Sequence, residues 1–161
     1  MLAILGLGGN IHPRRSYLAQ ATEAIAHRVG AVLMRSSLYE SEPWGFEADT
    51  PFINQALQVD TSLAPRELLE CVHSIEHSLG RRRCGAGYAS RTIDVDILTL
   101  GDITCNLEGL VIPHPRIAQR RFVLEPLAEM LPDGLHPTLG QTWSELLSAC
   151  ADRGYVRRLG R

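Results

Sequence analysis

The chain has 161 residues, 45% hydrophobic and 21% charged, with a formal net charge of −2, which suits one globular domain with a proper core, residues 1–161. That balance gives no case for broad attraction to nucleic acid or to a membrane surface. All 16 basic residues are arginine, so no P-loop lysine is available and any phosphate grip must be made by guanidinium forks.

Leu2 to Leu7 is a short apolar run that predicts a buried strand, with Gly8-Gly9-Asn10 as a tight turn after it. It lacks a basic leader and passes straight into polar sequence, so neither a signal peptide nor a membrane-spanning helix is expected. Leu18, Ala21, Ile25 and Val29 recur at helical spacing from Arg14 to Val29, and Gly30 is the natural stop. Ala31 to Tyr39 reads as one strand, followed by turn chemistry at Ser41-Glu42-Pro43-Trp44-Gly45. Phe52 to Asp60 alternates, with Ile53, Leu57 and Val59 on the core side and Phe52, Asn54, Ala56 and Gln58 opposite. Pro65 opens a second helix striped by Leu68, Leu69, Val72, Ile75 and Leu79, which Gly80 ends. Arg81 to Arg91 is a cationic, glycine-containing loop of the kind that serves as a lid or flexible segment.

That loop feeds a strand from Ser90 to Gly101, in which Ile93, Val95 and Ile97 face one way and Thr92, Asp94 and Asp96 the other. Asp94 and Asp96 are then roughly 6.5 to 7 Å apart along the strand. Such a pair is either a solvated strand face or an oxygen site for a hard divalent ion, most plausibly magnesium holding substrate phosphates. Next come a small hairpin (Ile103 to Cys105, Leu110 to Ile112), a helix from Phe122 to Met130 in which Pro126 is tolerable only near the start, and a loop from Leu131 to Leu139. A short helix from Trp143 to Cys150 and a strand from Tyr155 to Leu159 close the chain. Cys71, Cys84, Cys105 and Cys150 lack the short pairings of metal or redox motifs; they are expected to be free thiols in a cytoplasmic protein.

Strand, helix, strand, strand, helix, strand is the split β-α-β order of a ferredoxin-like α+β sandwich, an antiparallel sheet with helices packed on one face. Its other face is where Asn54 and the two aspartates can meet. An arginine-rich loop, a strand carboxylate pair and a basic stretch at His114, Arg116, Arg120 and Arg121 together describe a nucleoside triphosphate site better than any one of them alone.

The ordered motifs Gly8-Gly9-Asn10, Phe52-x-Asn54-x-Ala56, Glu76, Gly80-Arg81, Arg91-Thr92-x-Asp94-x-Asp96-Ile97 and Pro113-His114 with Arg120-x-Phe122-Val123-Leu124-x-Pro126-Leu127 resemble the 6-hydroxymethyl-7,8-dihydropterin pyrophosphokinases of folate biosynthesis. The likeness spans residues 1 to about 130. It implies transfer of pyrophosphate from ATP to the pterin hydroxymethyl group, with release of AMP. By the same resemblance Asp94 and Asp96 hold two magnesium ions, while Arg81 and Arg91 grip the triphosphate. Glu76, Arg83, Ile97, His114 and Arg120 belong to the ATP site. Phe52 and Phe122 stack on the pterin. Asn54 reads its edge with an amide donor and acceptor, helped by Ser41, Glu42, Trp44 and Gly45, and Tyr88 is the lid aromatic.

Glu42 and Trp44 depart from the threonine-proline-proline-leucine type of pterin loop; Cys84 stands where a lysine is common, and Pro115 where a tyrosine can occur. The chain after Leu131 is expected to be structural. A ferredoxin-like nucleic-acid module and a relative without catalysis are the competing readings; two carboxylates at the centre of the face argue against the first. The expected partners are ATP and a reduced pterin, with no nucleic acid or membrane, for a chain acting as a monomer.

Overall fold

In chain order the protein builds β1 (Leu2–Gly9), α1 (Arg14–Arg28), β2 (Gly30–Arg35), β3 (Leu38–Ser41), β4 (Phe52–Thr61), α2 (Pro65–Ser78) and β5 (Asp94–Leu100). There follow the hairpin β6 (Cys105–Leu107) and β7 (Leu110–Ile112), a 3-10 turn (Ile117–Gln119), α3 (Arg121–Met130), α4 (Trp143–Ala149) and β8 (Val156–Gly160). The structure is a computed structural model that describes residues 1–80 and 90–160. The main sheet is antiparallel in the order β5-β1-β4-β3-β8, with β2 sharing the β4 edge with β3. This is the expected ferredoxin-like arrangement.

Alternation along the strands sorts the side chains into two cores. Ala3, Leu5 and Leu7 of β1, Ile53, Leu57 and Val59 of β4, and Val95 and Ile97 of β5 pack on Leu18, Ala21 and Ile25 of α1 and Leu68, Val72 and Ile75 of α2. From the opposite face Ile4, Ala56 and Leu98 meet Val123, Leu124, Leu127 and Met130 of α3 and Trp143 and Leu146 of α4. The last two helices therefore add a partial layer to the face that the two-helix pattern leaves open, because the apolar stripe of α3 finds Ile4, Ala56 and Leu98 to bury against. Uncovered sheet beyond that layer becomes the floor of a cleft.

Three local expectations need correction. Pro126 sits well inside α3, where it supplies no N–H to the Phe122 carbonyl; its ring is buried instead against the sheet side of the helix. Gly8 and Gly9 belong to β1 and not to a turn, because Gly9 runs so close to the next segment that a β-carbon there would lie 2.4 Å from the Thr92 carbonyl oxygen. Finally, the strand expected from Ala31 to Tyr39 is broken. Ser36 N–H donates to the Ala56 carbonyl and Ser36 Oγ accepts from Ala56 N–H, while Ser37 N–H turns away to Glu129. Arg35 pairs with Leu57 and Tyr39 with Asn54, so four steps on this edge match three on β4. The extra residue reverses which side chains point to the α3 side of the sheet: Tyr39, bonded to Glu129, and Ser41, which lines the cleft, do so, whereas Leu38 packs on the opposite core.

Among the described residues no helix is long and apolar enough to cross a membrane. Replacing Gly9 by alanine should lower unfolding stability by about 1–3 kcal/mol, since backbone and not a flexible side chain must give way. Urea denaturation would read this as a lower midpoint at unchanged slope.

Candidate active site

The even-numbered positions of β1 are Leu2, Ile4, Gly6 and Gly8. Gly8 lies directly between Asn54 of β4 and Asp94 of β5, and Gly6 between Ala56 and Asp96. Directly opposed residues of antiparallel strands point to the same face, so the bulge-shifted Tyr39 completes a row Tyr39-Asn54-Gly8-Asp94 across four strands. The missing side chains of the central strand leave a flat strip of backbone about 10 Å wide between the Asn54 amide and the carboxylates. A β-carbon on Gly8 would come within 3.0 Å of Asn54 Oδ1, and one on Gly6 within 3.3 Å of Leu98. Asn54 is 5% exposed; its Nδ2 donates to Ser41 Oγ at 2.8 Å and to the Tyr39 carbonyl at 3.4 Å, which leaves Oδ1 on the Gly8 side.

Aromatic side chains wall this strip. Phe52 takes the edge of Phe46 at 5.9 Å between ring centroids, and Phe122 and Trp44 line the same cleft. The Arg120 guanidinium lies 4.8 Å from the Trp44 ring centre and 5.7 Å from that of Phe122, with Arg116 at 5.8 Å from Trp44. Arg120 also reaches Asp96 at 3.5 Å, and Arg91 pairs with Asp94. Burial, followed by repulsion from Asp94, pushes the Asp96 carboxyl up to about 7 against the pull of Arg120 and Arg91. Two carboxylates on one strand face are the donor chemistry that a hard divalent cation answers. Among the described residues no three His, Cys, Asp or Glu side chains converge, so a magnesium ion held here would take its remaining ligands from substrate oxygens and water.

His114 supplies a neutral donor beside this charge. Its Nδ1 accepts from the Arg116 N–H at 3.1 Å, which puts the ring proton of the neutral form on Nε2. Burial, followed by the Arg120 charge, lowers its pKa to about 4.

The cleft, about 590 Å³ in volume, continues over the free edge of β5 into a second lobe. Leu69, His73 and Glu76 of α2 form one side of it, Ile97 its base, and Leu107, Leu110 and Val111 of the hairpin the other. An edge strand exposes unpaired N–H groups. Here Glu76, 1% exposed, accepts the Val95 N–H at 2.8 Å and so fixes the strand that carries both aspartates.

Residues 4–132 match the family model for 7,8-dihydro-6-hydroxymethylpterin-pyrophosphokinase. The chain belongs to this family. A Bacillus subtilis 2-amino-4-hydroxy-6-hydroxymethyldihydropteridine pyrophosphokinase is 44% identical over 131 residues, 80% of this chain and 77% of the relative. The enzyme of the same name from Methylorubrum extorquens is 43% identical over 132 residues, 81% of this chain and 83% of that one. A Plasmodium falciparum HPPK-DHPS crystal structure has the same fold, with a TM-score of 0.73 over 92% of this chain at 17% identity; the present chain spans 44% of that longer one.

Of the pyrophosphokinase residues expected from the motifs, Arg91, Asp94, Asp96, Ser41, Glu42, Trp44, Phe52, Asn54, Phe122, Glu76, Ile97, His114 and Arg120 all line the one cleft. Arg81, Arg83, Tyr88 and Cys84 lie outside the described residues. Gly45 is not among the lining residues; with φ of 80° it makes the turn behind Trp44. Asn54 does not offer its donor freely, since both Nδ2 contacts are made within the protein. The motifs did not single out Gly6, the hairpin wall, Phe46 or the clamp formed by Asn10. That residue, 3% exposed, donates through Nδ2 to the Thr50 carbonyl and Ser90 Oγ, and accepts through Oδ1 from the Arg91 N–H. It thereby joins the loop before Phe52 to the segment before Asp94. Two glycines in alternate positions of a buried strand were the legible sign of the bare floor.

The imidazole should remain neutral from pH 8 down to about 5, read as a flat Cε1–H chemical shift for His114 over that range. Because the unfolded chain takes up this proton near pH 6.5 and the folded chain only near pH 4, the unfolded state binds more protons between those values. Stability should therefore fall as pH drops through the window, and His114→Asn should lessen the fall, checked by urea midpoints at pH 7 and pH 4.5.

Proposed function

We propose that the cleft is where this family member transfers the pyrophosphoryl group of ATP to the hydroxymethyl group of 6-hydroxymethyl-7,8-dihydropterin, giving AMP and the pterin diphosphate. One observation carries the assignment of substrates: a glycine-floored, aromatic-walled lobe and a lobe under the hairpin meet at Asp94 and Asp96. In this reading a flat bicyclic ring lies over Gly6 and Gly8, between Phe52 and Phe122, with Asn54 and Ser41 at its polar edge. The nucleotide occupies the lobe of Leu69, His73, Glu76 and Ile97, and its phosphates run toward His114, Arg91 and Arg120.

Asp94 and Asp96 are the residues that would hold two magnesium ions; bound there, magnesium neutralises phosphate oxygens and lowers the proton affinity of the attacking hydroxyl. The protein's own work is positioning and charge stabilisation. Arg91 and Arg120, each anchored on one of the two carboxylates, present guanidinium N–H groups to charge that moves onto the leaving α-phosphate. His114 donates from Nε2 as a neutral group, adding a hydrogen bond without a further cation. Phe122, Trp44 and Phe46 exclude water from the ring. We further propose that the chain works as a single catalytic domain, a cytoplasmic monomer; the described cysteines Cys71, Cys105 and Cys150 are free thiols, which is compatible with a reducing compartment.

With ATP, magnesium and hydroxymethyldihydropterin, the products should be AMP and the pterin diphosphate, resolved by chromatography; ADP formation or magnesium-independent turnover would contradict the assignment. Asp94→Asn and Asp96→Asn should each reduce kcat by on the order of a hundredfold or more with little loss of melting temperature. Gly8→Val should abolish pterin binding in a calorimeter while nucleotide binding persists, because the added branch fills the floor beside Asn54 and not the second lobe.

A further inference from the structure

The segment that follows α4 contributes a contact that no motif marks. Helix α3 begins after Arg120, whose side chain is committed to Asp96 and Trp44 and cannot accept a hydrogen bond, so the first N–H groups of the helix need an acceptor from elsewhere. Asp152 provides it: Oδ2 accepts the Arg121 N–H at 3.0 Å, and Oδ1 accepts the Gly154 N–H at 2.9 Å. The turn so formed carries Tyr155, whose N–H donates to Glu42 Oε1 at 3.2 Å. Gly154 is required by space and not by backbone conformation: its φ is outside the left-handed region, but a β-carbon would lie 2.6 Å from Glu42 Oε1 and 3.1 Å from Asp152 Oδ1.

We infer that residues 152–155 form a clasp joining the two walls of the ring-binding lobe, with Asp152 as its positioning residue. One wall is the start of α3, which sets Arg120 and Phe122; the other is Ser41 to Trp44, held through Glu42. Among the described residues the hydrogen bonds of the clasp run to the start of α3 and to Glu42, and none runs to the hairpin or α2. Arg120, which also faces the phosphates, is held separately by Asp96; the clasp therefore acts first on the flat-ring substrate. This inference rests on the assignment of that lobe to the pterin. It also accounts for Glu42, a departure from the family's pterin-loop pattern: its carboxylate faces the clasp.

The test is a comparison of wild type with Asp152→Asn, Asp152→Ala and Gly154→Ala. Asparagine keeps one acceptor but turns an N–H₂ toward one of the two backbone donors; alanine removes both acceptors. The expected result is a rise in KM for the pterin of about tenfold in Asp152→Ala, smaller in Asp152→Asn, with KM for ATP changed less than twofold. Gly154→Ala should repeat that split, since crowding displaces Glu42. An equal rise in both KM values would reduce the clasp to general stability and overturn the inference, as would an unchanged pterin KM. Wild type that neither binds nor turns over the pterin would overturn the functional reading instead. The clasp is then decided by backbone amide resonances in Asp152→Asn: movement at Glu42 to Gly45 together with Phe122 supports it, and movement confined to Arg121 and Phe122 overturns it.

Discussion

The pairing of β1 between β4 and β5 governs the whole site, because in antiparallel strands opposed residues share a face. A slip of one residue in either register would exchange Asn54 or the two aspartates for aliphatic neighbours and send the polar groups into the helical core. The large apolar set on the alternate positions, Leu5, Leu7, Leu57, Val95 and Ile97 among them, makes that slip costly, since each would have to leave the core. Hydrophobic packing on one side of the sheet thus enforces polar geometry on the other. The bulge at Ser36 and Ser37 belongs to the same logic: Glu129 accepts from Ser37 N–H, Ser37 Oγ and the Tyr39 hydroxyl, and so stabilises the parity change from the α3 side.

Electrostatics is arranged around the two carboxylates of β5. Two carboxylates on one strand repel, and among the described residues Arg91 and Arg120 are placed against that repulsion. Arg120 itself is shared between Asp96 and the faces of Trp44 and Phe122, so in the proposed reading one charge would serve the phosphate end and touch the ring end. Glu76, by contrast, accepts an edge N–H of β5 through Oε1, so this carboxylate also holds the strand that carries the two aspartates. Position in the cleft alone does not distinguish those roles; hydrogen-bond partners do.

Element type and order were legible because periodicity is strong in this chain: Leu18, Ala21 and Ile25 at helical spacing, and Ile53, Leu57 and Val59 on one side of an alternating strand, all became core. The aspartate pair and Asn54 were legible through residue type at fixed strand parity, and Phe52 and Phe122 through the family resemblance. Ser36 and Ser37 were not, because the break depends on Glu129, which is remote in sequence and gives no local signal. Asn10 fell to the same difficulty, its partners being Thr50, Ser90 and Arg91. Pro126 was misjudged for another reason: helix propensity counts the lost hydrogen bond and omits the burial of its ring at the wall of the cleft. The tail after Leu131, expected to be structural, is indeed packed through Trp143 and Leu146, yet residues 152–155 reach the walls of the site.

The cleft does not run straight. Its lining runs from the sheet face at Gly6 and Gly8, past Asp94 and Asp96 on the edge strand β5, to Leu69, His73 and Glu76 of α2 and to the hairpin, so it bends around that edge. A molecule that fills both lobes must therefore be curved or jointed at β5. A rigid straight inhibitor gains the contacts of one lobe only, whereas two modest ligands joined by a tether that bends over β5 gain effective concentration from each other. Tether length and the corner it must turn are then the variables that decide affinity, ahead of any contact added within either lobe.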